Sequence, residues 1–194
     1  MINMRPSRIF RWIIRLFLLV FTLALSGVSL LGGFSAVTVL DPDSYNVNIP
    51  DGEITSNFDI TNKPAMFISV PFNITNVGVY DLDDVILSFQ IGMIFGNAST
   101  PTNETTNVKI FDKTETYGSV LHGEILKDYF NGTASDGFLL SKIPDPSEID
   151  RFRNPDIVFK ANFTFSAMYS LRLYRFTVNL INYDLGEIEI PYVP

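Results

Sequence analysis

The chain has 194 residues, 46% of them hydrophobic, and no cysteine, which excludes disulfides, thiol catalysis and cysteine-based zinc sites. Its length fits one domain with an appendage, and the roughly 150 residues beyond the N-terminal segment are enough to bury a core without staples. Charge is divided along the chain: Arg5, Arg8, Arg11 and Arg15 precede the first acid, Asp41. The remaining ten basic residues and all 21 acids lie beyond them, a balance of −11 that repels phosphate and argues against nucleic acid as a partner.

The first element is an uncharged run of 25 residues, Leu16 to Leu40. As a helix it reaches roughly 37 Å at 1.5 Å per residue, more than the ~30 Å of a hydrocarbon core. Four arginines on one flank orient such a span with its N-terminus in the cytoplasm, and Trp12 falls at the inner interface. Basic residues followed by Leu16 to Leu25 also describe a signal peptide, with Ser26, Gly27, Ser29, Ser35 and Ala36 as small residues for cleavage. Apolar character resumes at Val28, Leu30 and Leu31 and continues to Leu40, beyond what a signal peptide needs, which favours a permanent anchor. Either reading exports the remainder of the chain, and the missing polar face argues against a buried helix of a soluble protein.

Residues 41–65 are rich in Asp, Asn, Pro and Gly and read as a stalk, 41–53, leading to an irregular strand near Glu53 to Ile60. In Phe67 to Thr75 the apolar Ile68, Val70, Phe72 and Ile74 alternate with Ser69, Pro71, Asn73 and Thr75, the period of a strand with one buried face. Asn76, Gly78 and Asp81 to Asp84 form a turn, and Val85, Leu87, Phe89 and Ile91 begin a second strand. The two are expected to pair as an antiparallel hairpin. The middle, Asn97 to Asn154, is less regular: a polar loop, short strands at Val108 to Phe111 and Gly118 to Ile125, and a capped helical turn at Ser147 to Phe152.

Alternation returns at Ile157 to Ala167. The next strand, Ser170 to Ile181, has Leu171 and Leu173 in one phase and Phe176, Val178 and Leu180 in the other, a shift at Tyr174 and Arg175 that a β-bulge would produce. A last strand is expected from Leu185 to Val193. The expected fold is therefore all-β, an antiparallel β-sandwich of seven to eight strands over residues 54–194, immunoglobulin- or fibronectin-like, preceded by one transmembrane helix at 16–40 and a cytoplasmic basic segment at 1–15. Most of the 17 phenylalanines supply core volume or belong to the anchor.

The acceptor pattern Asn-x-Ser/Thr occurs at Asn73, Asn97, Asn103, Asn131 and Asn162, all on the exported side. With 15 Asn and 29 Ser plus Thr, chance gives about two such sites, so the five are glycosylation candidates. Asn73 and Asn162 fall inside strands on the polar phase, where a glycan leaves the core undisturbed.

The run Ile68 to Asp84, with its apolar strand ending in Asn76 before a turn and a second strand, resembles the hairpin of LEA14-type domains, also called water-stress and hypersensitive-response domains. Gly118 to Glu124 is similar to their mid-domain strand and glycine turn, and Ala161 to Leu180 to their final hairpin. The basic start, single anchor and sandwich are similar to archaeal membrane-anchored proteins of this type. The likeness covers residues 54–192. It departs in the Asn97 to Asn107 loop, in the Lys127 to Asn154 insertion, and in having Asn76-Val77 where an Asn-Pro pair is usual. The resemblance implies a seven-stranded sandwich, a role in stress protection or envelope interaction, and no catalytic residues.

Chemistry read directly from the residues agrees with a non-enzyme. His122 is the single histidine, so neither a histidine-based triad nor a multi-histidine metal site can be built. Asp81, Asp83 and Asp84, with Asp59, carry oxygen ligands of the calcium type, but their spacing does not match an EF-hand loop, and no cofactor is implied. The expected function is that of an extracytoplasmic, non-catalytic domain held at the cell membrane by its helix, with an envelope-associated interaction or stress-protection role. The lipid bilayer and a protein at the cell surface are the expected partners. The alternative is an accessory subunit of a membrane complex, using Ser26, Gly27, Gly32 and Gly33 for close helix packing, or a surface adhesion module presenting its edge strands.

Overall fold

The computed structural model describes residues 6–41, 44, 46–98, 105–149, 156–169, 172 and 174–189. It opens with α1 (Pro6–Val39), a helix of 34 residues whose stretch Phe10–Val39 is long and apolar enough to cross a membrane. Between Phe10 and Phe34 its large apolar side chains other than the half-buried Val28 are exposed, as at Trp12, Phe17 and Leu30. Among the described residues none covers them, the opposite of a helix that buries a stripe against its own core. The end of α1 differs: Ser35, Ala36 and Val39 are buried within the β-domain.

That domain is a sandwich of two antiparallel sheets holding eight strands, β1 (Val47–Asn48), β2 (Thr55–Asn57), β3 (Phe67–Thr75), β4 (Leu82–Gly96), β5 (Thr105–Val120), β6 (Ile125–Thr133), β7 (Asp156–Tyr169) and β8 (Tyr174–Glu189). In the first sheet β3 pairs with β6 on one side, and with both β1 and β2, placed one after the other, on the opposite side. The second sheet runs β5-β4-β7-β8. Inward residues of β3 (Ile68, Val70, Phe72, Ile74), β4 (Val85, Leu87, Phe89, Ile91, Met93) and β7 (Phe159, Ala161, Phe163, Phe165) are buried, as their alternation in sequence requires. Phe89 stacks on Phe163 with centroids 4.3 Å apart and meets Phe130 edge-on at 5.9 Å. Phe58 stacks on Phe159 at 4.6 Å. The first contact lies within the second sheet, while Phe130 and Phe58 reach across to it from the other layer, joining the two with large, rigid side chains.

The fold class expected from the sequence is the one observed, an all-β sandwich after an apolar helix, but its pairing differs. The strand at Phe67 to Thr75 and the one after it do not form a hairpin: β3 and β4 lie in different sheets, and the loop between them crosses from one layer to the other. The phase shift near Tyr174 is not a bulge within one strand, because β8 begins at Tyr174 and Arg172 before it has a turn conformation with φ 68°. Leu171 and Leu173 lie outside the described residues. The irregularities come later: the β7–β8 register shifts between Phe159 and Lys160 and again between Ala161 and Phe163, the second where Asn182 takes φ 59°.

The short strands expected at Val108 and Gly118 are one continuous β5, after which comes β6, a strand the alternation does not predict. The helical turn near Ser147 is a single 3-10 turn, Pro146–Glu148, without a side-chain cap. The segment 41–53, read as a stalk, contributes β1 and the buried Asn46 to the sandwich.

Candidate functional site

The best-built polar arrangement in the molecule lies where α1 enters the sandwich. Asn76 directly follows β3 and has no exposed surface. Its Nδ2 donates to Tyr80 O and Val120 O, both at 2.9 Å, and its Oδ1 accepts from Gly78 N at 3.1 Å and from the Tyr169 hydroxyl at 3.0 Å. One side chain thereby ties the β3–β4 loop to the ends of β5 and β7. Burial pushes the Tyr169 phenol well above its ordinary pKa, so the hydroxyl stays a donor. The helix joins this node through Ser35, whose Oγ accepts from Val79 N at 2.8 Å. A Cβ built on Gly78 would stand 2.6 Å from the Tyr169 hydroxyl and 3.0 Å from Ser35 Cβ. Only glycine lets the loop pass between helix and tyrosine. Asn46 adds a bond from Nδ2 to Thr38 O at 3.0 Å.

Beside this junction an apolar cleft of about 310 Å³ opens between the end of α1, β1 and the β7–β8 pair. Val39, Val47 and Ile49 form one wall, and Phe163, Phe165, Val178 and Leu180 the other, with Asp41 at its margin. The cleft exists because β1 is only two residues long and cannot cover β8. Val178 and Leu180, cross-strand partners of the buried Phe165 and Phe163, are consequently 37% and 42% exposed. Walls of carbon suit an apolar chain, and no nucleophile lies next to a base there.

The residues singled out in the sequence are dispersed. His122 is exposed in the β5–β6 turn; its Nδ1–H donates to Gly78 O and its backbone N to Asp81 Oδ1 at 2.8 Å. It therefore braces two loops. Asp83 accepts from Ser119 Oγ at 2.7 Å, and Arg172 approaches both Asp83 and Asp84 at 3.9 Å. Asp59 lies by β2, towards the other end of β3, where its Oδ1 accepts from Thr61 N and Oγ1; those bonds hold its pKa below the usual carboxylate value. The four carboxylates are thus not brought together, and among the described residues no three His, Cys, Asp or Glu side chains are placed to hold a metal ion.

The four described glycosylation candidates, Asn73, Asn97, Asn131 and Asn162, fall on outer faces or strand ends. Asn131 and Asn162 are exposed, on β6 and β7, with Oδ1 accepting from Ser69 Oγ at 2.7 Å and from Asn182 N at 2.8 Å. Asn73 is half-buried between its cross-strand partners Asn48 and Lys127, and its Oδ1 is shielded from solvent. Asn97 comes directly after β4 and bridges to Ile149. Asn103 lies outside the described residues. Sequence reasoning misses the Asn76 node, since Asn and Gly before Asp signal only a turn. Its partners stand 44 and 93 residues away, at Val120 and Tyr169, so no local pattern announces it.

Neither a protein-family model nor a curated protein matches the sequence. Among solved structures, the chain is similar to the solution structure of a protein described as late embryogenesis abundant, at 15% identity over 89% of this chain and 88% of that one, with a TM-score of 0.31. A similarity of that degree carries no argument about function, so the functional reading rests on the junction and the cleft.

Proposed function

We propose that this protein is a single-pass, membrane-anchored, non-catalytic β-sandwich displayed on the extracytoplasmic side, with an envelope-associated interaction or stress-protection role of the LEA14 type. The observation that carries the reading is the two-part character of α1. From Leu16 to Gly27 every residue is exposed, as on a lipid-facing span, whereas Ser35, Ala36 and Val39 are built into the sandwich. Two of the small residues offered for cleavage, Ser35 and Ala36, are therefore structural, which supports a retained anchor over a leader cleaved at that point. The arginines on one flank support a cytoplasmic N-terminus.

An interaction role is supported by the uncovered inner face of β8, where the apolar cleft offers a partner both carbon surface and an edge strand. The same feature favours the alternative of an accessory or adhesion module over a purely hydrated protective domain.

Intact-mass analysis of the membrane-extracted protein tests the anchor: the full chain is expected, and a mass lacking residues 1–36 would sink it. Protease added to sealed cells is expected to remove the sandwich and leave the arginine-bearing segment protected. Loss of survival on drying after gene deletion would support stress protection; an unchanged phenotype would leave the interaction role.

A further inference from the structure

We propose that the pole of the sandwich at which α1 enters is itself seated in the lipid headgroup layer, with Val77, Val79 and Leu121 as the inserted side chains. This rests on the anchored reading above and adds a second contact with the bilayer.

The first argument is one of length. Arg15 is the last charge before the span, and a hydrocarbon core of about 30 Å takes about 20 helical residues. Counted from Leu16, those residues end at Ser35. Ser35 is already inside the protein, accepting from Val79 N at 2.8 Å. No spacer separates the edge of the hydrocarbon from the sandwich, so the β3–β4 loop stands at the level of the membrane surface.

The second argument is the chemistry of the side chains at that level. On the uncovered flank of α1, Phe34 and Val37 are 64% and 71% exposed, so apolar surface continues past the level of Ser35. Val77 and Val79 flank Gly78 at 41% and 50% exposure, and Leu121 on the neighbouring turn is 48% exposed. Tyr174 opens β8 nearby at 50% exposure, an amphipathic ring of the kind enriched at membrane interfaces. Scattered apolar side chains on a surface are ordinary; here they crown two adjoining loops at the exit of an apolar helix.

The third argument is that these loops can enter a poorly hydrated layer at low cost. Much of their backbone is already paired: Asn76 N donates to Glu124 O at 3.0 Å, Gly123 N to Asn76 O at 2.8 Å, and His122 N to the Asp81 carboxylate at 2.8 Å. Unpaired backbone groups would oppose insertion. The carboxylates of Asp81, Asp83 and Asp84 set the depth, holding the pole at the headgroups and out of the hydrocarbon.

The native chain has no cysteine, so single-cysteine variants report position cleanly. Val79→Cys, Leu121→Cys, Leu25→Cys in mid-span and the exposed Ser135→Cys beyond the far end of β6 would each be labelled with a polarity-sensitive fluorophore. The full chain would then be reconstituted in phosphatidylcholine vesicles. The expected result is strong quenching of Val79→Cys and Leu121→Cys by a nitroxide near the lipid headgroup, with iodide quenching several-fold weaker than at Ser135→Cys. Leu25→Cys should respond to a deep nitroxide. If the loop labels behave like Ser135→Cys while Leu25→Cys stays deep, the anchor stands and the seated pole is wrong. If Leu25→Cys is also open to iodide, the anchored reading fails and takes this proposal with it.

Discussion

Asn76 shows how one residue sets the geometry of a pole. Truncation to alanine leaves two carbonyls, an N–H and a tyrosine hydroxyl without their partner, and each buried group so orphaned costs about 1–3 kcal/mol. Asn76→Ala is therefore expected to lower stability by about 3 kcal/mol or more, whereas Tyr169→Phe, which removes a single hydroxyl, should cost about 1 kcal/mol. Urea unfolding of the two variants checks the ratio. Gly78→Ala inserts a methyl between Ser35 and Tyr169 and should cost about 1–3 kcal/mol by overpacking. Local spacing identifies Asn76 and Gly78 as turn formers and nothing more, since the use made of them depends on Ser35, Val120 and Tyr169 arriving from elsewhere. The acceptor asparagines illustrate the opposite case, a motif legible at once but graded only by burial. Glycopeptide mass spectrometry of the native protein is expected to find glycans at Asn131 and Asn162, which are exposed, and none at the half-buried Asn73.

At the scale of elements, period-two alternation identifies β3, β4 and β7 because each has one buried face. Alternation does not say which strand lies beside which; two strands close in sequence suggest a hairpin, yet β3 and β4 sit in opposite layers. β6 escapes for a different reason. Its inward phase is Leu126, Asp128, Phe130 and Gly132, of which only Phe130 and Gly132 are buried, while Ile125 and Tyr129 face solvent at 63% and 57% exposure, a mixed pattern that reads as no strand at all. Gly132 is inward because the Phe111 ring occupies the place of its side chain, with a Cβ falling 2.3 Å from the ring.

The end of α1 is likewise divided in a way composition does not reveal, since Val37 is exposed and Val39 is fully buried within one apolar run. This division yields a direct comparison of truncations. A fragment of residues 34–194 keeps Ser35, Ala36 and Val39, and one of residues 41–194 loses them. Burial of a valine alone is worth about 1.5 kcal/mol or more, and the Ser35 bond adds about 1 kcal/mol. The longer fragment is therefore expected to be about 2–3 kcal/mol more stable in urea. Equal midpoints would show that the helix end is only laid against the sandwich.

For the whole molecule, the division into basic start, apolar span and acidic β-domain is legible because it depends on composition over long windows. The cleft is not, because it arises from a mismatch between the two-residue β1 and the 16-residue β8, a property of the assembled layers. The pH response also belongs to this scale. On the acid side, the hydrogen bond from Lys127 holds the Asp51 carboxyl below its ordinary 3.8, and Asp59 is lowered likewise. Groups so depressed stabilise the fold above their unfolded pKa, and the contribution is lost as pH falls through the folded value.

On the alkaline side, Lys113 is largely enclosed, and burial opposes its charge. Hydrogen bonds to Asp136 and Glu115, at 2.6 and 2.5 Å, outweigh that and raise its pKa above 10.5. Burial raises Tyr169 from 10.0 in the same direction. Both favour the protonated form in the folded chain, so their contribution is complete below the unfolded values and is lost as pH rises through the folded ones. As far as these groups act, the urea midpoint of the 34–194 fragment is expected to hold level between about pH 5 and pH 9 and to fall on either side. Lys113→Met removes one of the groups that titrate above 10.5 and should make the alkaline fall shallower. The share of the acid limb that belongs to Asp51 and Asp59 should stay unchanged, because neither is a partner of Lys113. A Lys113→Met variant whose alkaline fall matched that of the native fragment would show that the Asp136–Lys113–Glu115 bridge contributes nothing to the fold.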